Sequence, residues 1–339
     1  DFVVDGDLAG NPVNVTMDDN LVLATGGSIF VNQGYQNAGN GNVTLVAGYA
    51  GTGTVTGTPR YNDVTCELDI TADGLLLDFN TCDDFGDHDS IIRIGDGNQL
   101  AAIAIGSQSG TTRFAAHGLA LNGSNAVSDG YAQIGFSGGA TGDIEGHLQA
   151  GGLSLDGGTA TGSFAQVGHG GRIVAEGVIN GDISISFCEP GAVNLAADGN
   201  YSYAQIGHGG DDYDTETRGD IALTNTGAVD LRGGNNTRAY ALIGHGGGYA
   251  GGATRTGDIR VESAEGGIAL QAGSGGSNSL AQIGHGGRES SGTANGNITV
   301  LAEGTDADVV VRGGPGSQGN AIIGHAGTSA HGDKGLDGD

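Results

Sequence analysis

Apolar and polar positions alternate along most of this chain, in short runs that return at a fixed interval. One series reads Ile183/Ile185, Ile221/Leu223, Ile259/Val261 and Ile298/Val300. A second reads Leu153/Leu155, Val193/Leu195, Val229/Leu231, Ile268/Leu270 and Val309/Val311, and a third Ala165/Val167, Ala204/Ile206, Ala241/Ile243, Ala281/Ile283 and Ala321/Ile323. A period of two places each pair on one face of a strand, so every unit predicts three short strands with one buried side each. Units open on Gly-Asp-Ile at 142–144, 181–183, 219–221 and 257–259, or on Gly296-Asn297-Ile298. The third strand ends in a recurring phrase at 165–171, 204–210, 241–247, 281–287 and 321–327, of which Ala-Gln-Ile-Gly-His-Gly-Gly is the commonest form. Its histidines are His169, His208, His245, His285 and His325, spaced 39, 37, 40 and 40 residues apart.

A repeat of that length is the mark of a solenoid, propeller or array. Three strands per unit predict an all-β parallel β-helix, a β-solenoid with coils of about 39 residues. Equivalent side chains would then stack about 4.8 Å apart in ladders. Segments such as 211–218 and 286–295 vary between units, as expected of projecting loops. The alternative is a β-propeller, whose blades need four strands; the Trp-Asp signature of one propeller family is missing from a chain with no Trp. Upstream the pattern weakens: Tyr131-Ala132-Gln133-Ile134-Gly135 is followed by Phe136 in place of histidine, and Ala102-Ile103-Ala104-Ile105-Gly106 reads as an earlier copy. Residues 1–99 have strand-like stretches at 21–31, 43–47, 64–70 and 74–79 and are expected to stack on or beside the solenoid. The predicted organisation is an N-terminal β-rich section at 1–99, a repetitive solenoid at 100–328 and a polar tail at 329–339.

Composition agrees with many turns: 71 of 339 residues are Gly, against roughly 7 % in ordinary chains. No apolar run approaches the roughly 18 residues of a membrane span. A formal charge of −27 repels nucleic acid and anionic membranes, and neither is an expected partner. Cys66 and Cys82 bracket a loop that a disulfide would stabilise by about 3 kcal/mol, which implies an oxidising compartment. Cys188 then stands alone, and is read as a small buried hydrophobe rather than an intermolecular link. The chain begins at Asp1 without Met; a removed export signal or a fragment would each account for this.

Stacked imidazoles invite a metal reading, but zinc needs ligands converging on one tetrahedral point, which a linear ladder does not supply. The histidines are therefore expected to form a structural ladder, each ring bonded to backbone or to its neighbour. Gly-His-Gly resembles a short motif of β-helical polygalacturonases, yet here it recurs in every unit and the Arg-X-Lys expected with it is missing. A catalytic site needs one convergent pair of acids, so no catalytic residue and no enzymatic activity are expected. Two acidic segments offer candidate calcium ligands, Asp83, Asp84, Asp87 and Asp89 in one and Asp211, Asp212 and Asp214 in the other. Neither matches an EF-hand loop; calcium is the one candidate cofactor.

The alternating segments Asn20-Leu21 to Val31, Gly41 to Gly48 and Gly219 to Leu231 resemble the large secreted exoproteins of the filamentous-haemagglutinin type. The unit here is longer than that family's usual coil. The resemblance implies a bacterial, secreted, non-enzymatic β-solenoid used for adhesion or surface structure. Solenoid ends expose unpaired strand edges and need caps. The tail from Ser329 to Asp339 offers no amphipathic helix, while Phe2, Val3 and Val4 form an apolar strand suited to pairing with a neighbour's edge. The expected function is thus an extracellular structural protein whose copies join end to end into a fibre. An adhesin binding glycan or a cell-surface receptor, and a polysaccharide lyase or hydrolase, are the alternatives.

Overall fold

Strand alternation, glycine-led corners and the lack of any helical periodicity leave the chain one way to bury its apolar faces, which is to coil and stack them. The computed structural model describes residues 2–4, 13–48, 58–62, 67–72, 75–78, 89–172, 177–212, 214–248, 251–274, 279–305, 307–315, 319–325 and 336–337. Cys66, Cys82, Asp83, Asp84 and Asp87 lie outside these residues, as does most of the C-terminal tail. Among the described residues every regular element is a β-strand.

The strands lie in four sheets of 15, 9, 5 and 3 strands. In the three larger sheets every pair is parallel and joins equivalent positions of successive units. On a first face Ile144, Ile183, Ile221, Ile259 and Ile298 stand in one row. A second face aligns Leu153, Val193, Val229, Ile268 and Val309. A third aligns Ala132, Ala165, Ala204, Ala241, Ala281 and Ala321. Strands Thr112–Asn122 and Ile144–Asp156 run through the corner between the first two faces, which therefore belong to one sheet. A propeller blade would pair strands adjacent in sequence and antiparallel; this register has β-solenoid character.

A fourth face departs from the three-strand expectation. Ile179–Asn180, Thr217–Arg218, Arg255–Thr256, Ala294–Asn295 and Leu336–Asp337 form their own parallel stack. Two residues are too few for alternation to register in a sequence.

The N-terminal strands enter the same sheets. Phe2, Ile29, Ile92 and Leu119 follow one another on the second face, and Leu21, Val43 and Thr112 on the first. Thr58–Asn62, Glu67–Ala72 and Leu75–Asp78 stand apart as an antiparallel sheet.

Packing divides into two layers. The inward rows of the first three faces form one continuous core from Ile29 to Ile283, each large side chain worth about 1.5–3 kcal/mol on burial. Outside the third face lies a second cluster, Phe164, Tyr203, Tyr240, Leu242 and Leu280. That sheet is thus buried on both sides in the later coils, and the glycine-rich phrase and the fourth face provide its cover.

Candidate functional site

The histidine row begins one residue beyond a glycine that ends each third-face strand. Gly207 has φ +148°, and a Cβ on it would meet the Gly244 carbonyl oxygen at 1.9 Å. Only glycine lets successive coils approach this closely. The turn then aims each imidazole into the stack, where ring centroids lie 5.0, 4.9, 4.8 and 4.9 Å apart from His169 to His325.

Both ring nitrogens are engaged. The backbone N–H groups of Phe136, His169, His208, His245 and His285 donate to Nδ1 of the histidine one coil later, at 2.9, 3.0, 3.0, 3.1 and 3.1 Å. Each Nε2 faces a carbonyl of Gly142, Gly181, Gly219, Gly257 or Gly296 at 2.7–2.8 Å. A backbone N–H can only donate and a carbonyl only accept, so the single ring proton belongs on Nε2. The imidazoles are neutral rivets between the third-face turn and the Gly-Asp corner that opens the first face. Burial, opposed by the glycine carbonyl, holds His169 down to about 4. Burial and the neighbouring rings hold His208 to about 3 and His245 well below its ordinary value, and burial holds His285 to about 4. No lone pair is left for a metal on these four.

A glutamine row runs beside the histidines. Gln166 Nε2 donates to the carbonyls of Gly207 and Gly209, both at 2.8 Å, and Gln205 Nε2 to those of Gly244 and Gly246 at 3.0 and 2.9 Å. Aromatic rings stack at the start of the same strands, with Tyr131–Phe164, Phe164–Tyr203 and Tyr203–Tyr240 centroids at 4.3, 4.5 and 5.0 Å. The aspartates of the Gly-Asp corners make a row missed from the sequence. Oδ1 of Asp143, Asp182, Asp220 and Asp258 accepts the N–H of its successor at 2.9, 2.8, 2.7 and 2.8 Å. Their recurrence at every corner was the available signal.

The described candidate calcium ligands, Asp89, Asp211, Asp212 and Asp214, are not grouped around one point. Asp211 is buried, its carboxylate 3.6 Å from Arg172 Nε, and burial raises it to about 6 against the pull of Arg172. Asp212 and Asp214 are exposed, as is Asp89 at a turn. Among the described residues no three His, Cys, Asp or Glu side chains are grouped to hold a metal.

Cys188 corrects the reading of a buried small hydrophobe. It is half-exposed at the corner after Ile183–Phe187, and its Sγ lies 2.7 Å from His147 Nε2. His147 Nδ1 is in turn 3.2 Å from Ser186 Oγ. The two polar partners are separated by 41 residues, and only the stacking of coils brings them together.

At the C-terminal end of the stack the apolar rows lose their cover. Val309, Val311 and Ile323 are 45, 45 and 38 % exposed, whereas Ile268, Leu270 and Ile283 one coil earlier are 0–1 % exposed. Phe2–Val4 stands at the other end of the same sheet, with no partner beyond it among the described strands. No protein-family model matches this chain, and no curated protein or solved structure matches it significantly.

Proposed function

We propose that this chain is a structural subunit of an extracellular or cell-surface fibre, a parallel β-helix whose regular coils of about 39 residues carry three main faces and a short fourth, joined end to end. The observation that carries the reading is the open stack end. Strands Ile298–Ala302, Val309–Arg312 and Asn320–Ile323 have no following partner among the described strands on the first, second and third faces. Leu21–Thr25, Phe2–Val4 and Val13–Val15 hold the matching positions at the opposite end. A second copy placed in register would continue the second and third faces directly, with Phe2–Val4 and Val13–Val15 covering Val309, Val311 and Ile323, and would resume the first face one coil further on. Such pairing is strand addition, with backbone hydrogen bonds for affinity and apolar rows for register.

Ladders repeated in every coil also favour a structural role, because repetition distributes stability along the axis instead of converging on one reactive point. With nine strands on the third face and about 4.8 Å per coil, joined copies should show an axial repeat near 43 Å. Electron microscopy of the native protein at graded concentration should show fibres with that repeat, and Val311→Asp should leave short rods. A wild-type protein that sediments as a monomer at high concentration overturns the proposal.

One observation favours the adhesin as a second reading. A groove of about 540 Å³ crosses successive coils between the second and third faces, lined by Asp156, Asp198, Arg232, Asn235, Gln271 and Ser274. These polar side chains, set among small apolar residues such as Ala197 and Ala272, suit the hydroxyls and ring faces of an extended glycan. Specific glycan binding by rods that never polymerise would select this reading over the fibre.

A further inference from the structure

The corner between the first and second faces carries chemistry that the ladders do not explain. Strand Ile183–Phe187 ends there, and the Cys188 N–H still donates to the Leu148 carbonyl at 2.9 Å, holding the residue one step past the strand. From the next coil Asn225 Nδ2 donates to the Cys188 carbonyl at 3.2 Å, so the corner is fixed from both sides. His147 and Ser186 are register neighbours on the first face. Their side chains turn outward together, because Gly146, Leu148, Ile185 and Phe187 take the inward positions. His147 is buried while Cys188 is only partly buried, which sets a shielded base beside a cysteine at the protein boundary.

We propose that Cys188 is a nucleophilic thiol, with His147 as its base and Ser186 as the residue that positions the ring, and that it exchanges with low-molecular-weight disulfides. An activated nucleophile needs a base within hydrogen-bond reach and a third group orienting that base. Cys188 Sγ, His147 Nε2, His147 Nδ1 and Ser186 Oγ supply that chain of contacts at 2.7 and 3.2 Å. Burial holds His147 neutral, down to about 4, so the resting ring is a weak base and takes the thiol proton only in concert with attack by Sγ. Nδ1–H then donates to Ser186 Oγ, leaving Nε2 to face the thiol.

In the exchange the Cys188 proton passes to His147 Nε2 as Sγ attacks one sulfur of the small disulfide. The S–S bond of that disulfide breaks, a new one forms to Cys188, and the departing thiolate takes the proton from the imidazole. One S–S bond is lost and one gained, so no further oxidant is required.

Hydroxyethyl disulfide is the probe. The native protein and the same protein in urea are treated at pH 7, and mixed disulfide on the peptide containing Cys188 is followed by mass spectrometry. Native Cys188 should react about tenfold or more faster than in the unfolded chain, within the range of general-base assistance. His147→Gln should abolish that excess, and Ser186→Ala should reduce it. A native rate equal to or below the unfolded rate overturns the proposal, whether or not the variants fold. So does an excess that survives in folded His147→Gln, or cross-linked dimers on non-reducing gels in place of the small adduct.

Discussion

The first coils and the last solve the same problem with different parts. Each coil must close the turn between its third face and the next first face, where backbone groups leave their ladders. In the early coils the closure is local and different every time. Asn37 accepts from the N–H groups of Met17 and Gly39, both at 2.9 Å, and donates to the carbonyls of Met17 and Gly41 at 3.1 and 2.8 Å. One coil later Ser107 Oγ donates to the Gly41 carbonyl at 2.7 Å and accepts from Gly110 N–H at 3.0 Å. From His169 onward the closure is a repeated imidazole, bonded to the coil before it through Nδ1 and to a glycine carbonyl through Nε2.

Coil length changes as well. Leu21 pairs with Val43, 22 residues away, Val43 with Thr112 across 69 residues that include the antiparallel sheet, and Thr112 with Ile144, 32 away; Ile183 and Ile221 are 38 apart. The added residues supply the fourth face and the cover over the third. That cover keeps water from the histidines and makes the aromatic row a second core. The lesson is that an irregular coil is closed by any side chain of the right reach. A regular coil carrying its own lid can use one device repeatedly, at the cost of burying an ionisable ring in every turn.

Acid should separate the two regions most strongly. His169, His208, His245 and His285 have folded pKa values held below the unfolded value near 6.5. The unfolded chain therefore binds more protons as pH falls. Their stabilisation is complete above about 6.5 and is lost downward through the folded values, at about 1.4 kcal/mol per pH unit for each ring. Asp211, raised to about 6, works in the opposite sense: its contribution is present at low pH and lost as pH rises through that value. Four rings outweigh one carboxyl. Hydrogen exchange corrected for intrinsic rates should show residues 179–285 losing protection between pH 6.5 and 4.5 before residues 21–47 do. Simultaneous loss in both regions would break the comparison.

Asn37→Ala tests the early device. It strands the N–H groups of Met17 and Gly39 in a partly buried turn and takes one of two donors from each of the Met17 and Gly41 carbonyls, and should cost about 2–4 kcal/mol. Exchange protection should fall over residues 15–41 and stay unchanged at 179–285; an effect spread over the whole stack would contradict local closure.

The smallest effect is expected at Gln205→Leu. Leu242 already occupies this row one coil later, in register with Gln205. The amide's Nε2 bonds are lost, but its Oε1 has no partner in the folded protein, so removing the side chain also relieves a buried acceptor. Urea unfolding should shift by less than about 1 kcal/mol, and a larger loss would make the glutamine row as important as the histidines.

Where a coil repeats, its strands were readable from the chain. The pairs at Ile221/Leu223, Val229/Leu231 and Ala241/Ile243 mark three faces because alternation over four or five residues exceeds what chance supplies. The early coils were harder to read: strands as short as Ile29–Val31 and Tyr35–Asn37 give little alternation, and their spacing changes at each step. The antiparallel strands at 67–72 and 75–78 are short and apolar like those of the coils, so their exclusion from the solenoid was hidden. Among candidate residues, the histidine row was anticipated with its backbone bonding. Of the acidic residues at 211–214, Asp211 is buried beside Arg172 while Asp212 and Asp214 are exposed, a division that their shared charge hid in the sequence.

By itself the sequence determined the period, the inward rows and the chemical uniformity of the histidine turns, because these depend on local alternation and identity at a fixed spacing. Tertiary structure alone decided which atoms meet across coils: Nδ1 with the preceding N–H, the Asp143 to Asp258 row with its successors, and His147 with Cys188. Such contacts span about one coil of chain, and a side chain's partner there is set by the parallel register of the stack, a property of two coils together that no single unit encodes.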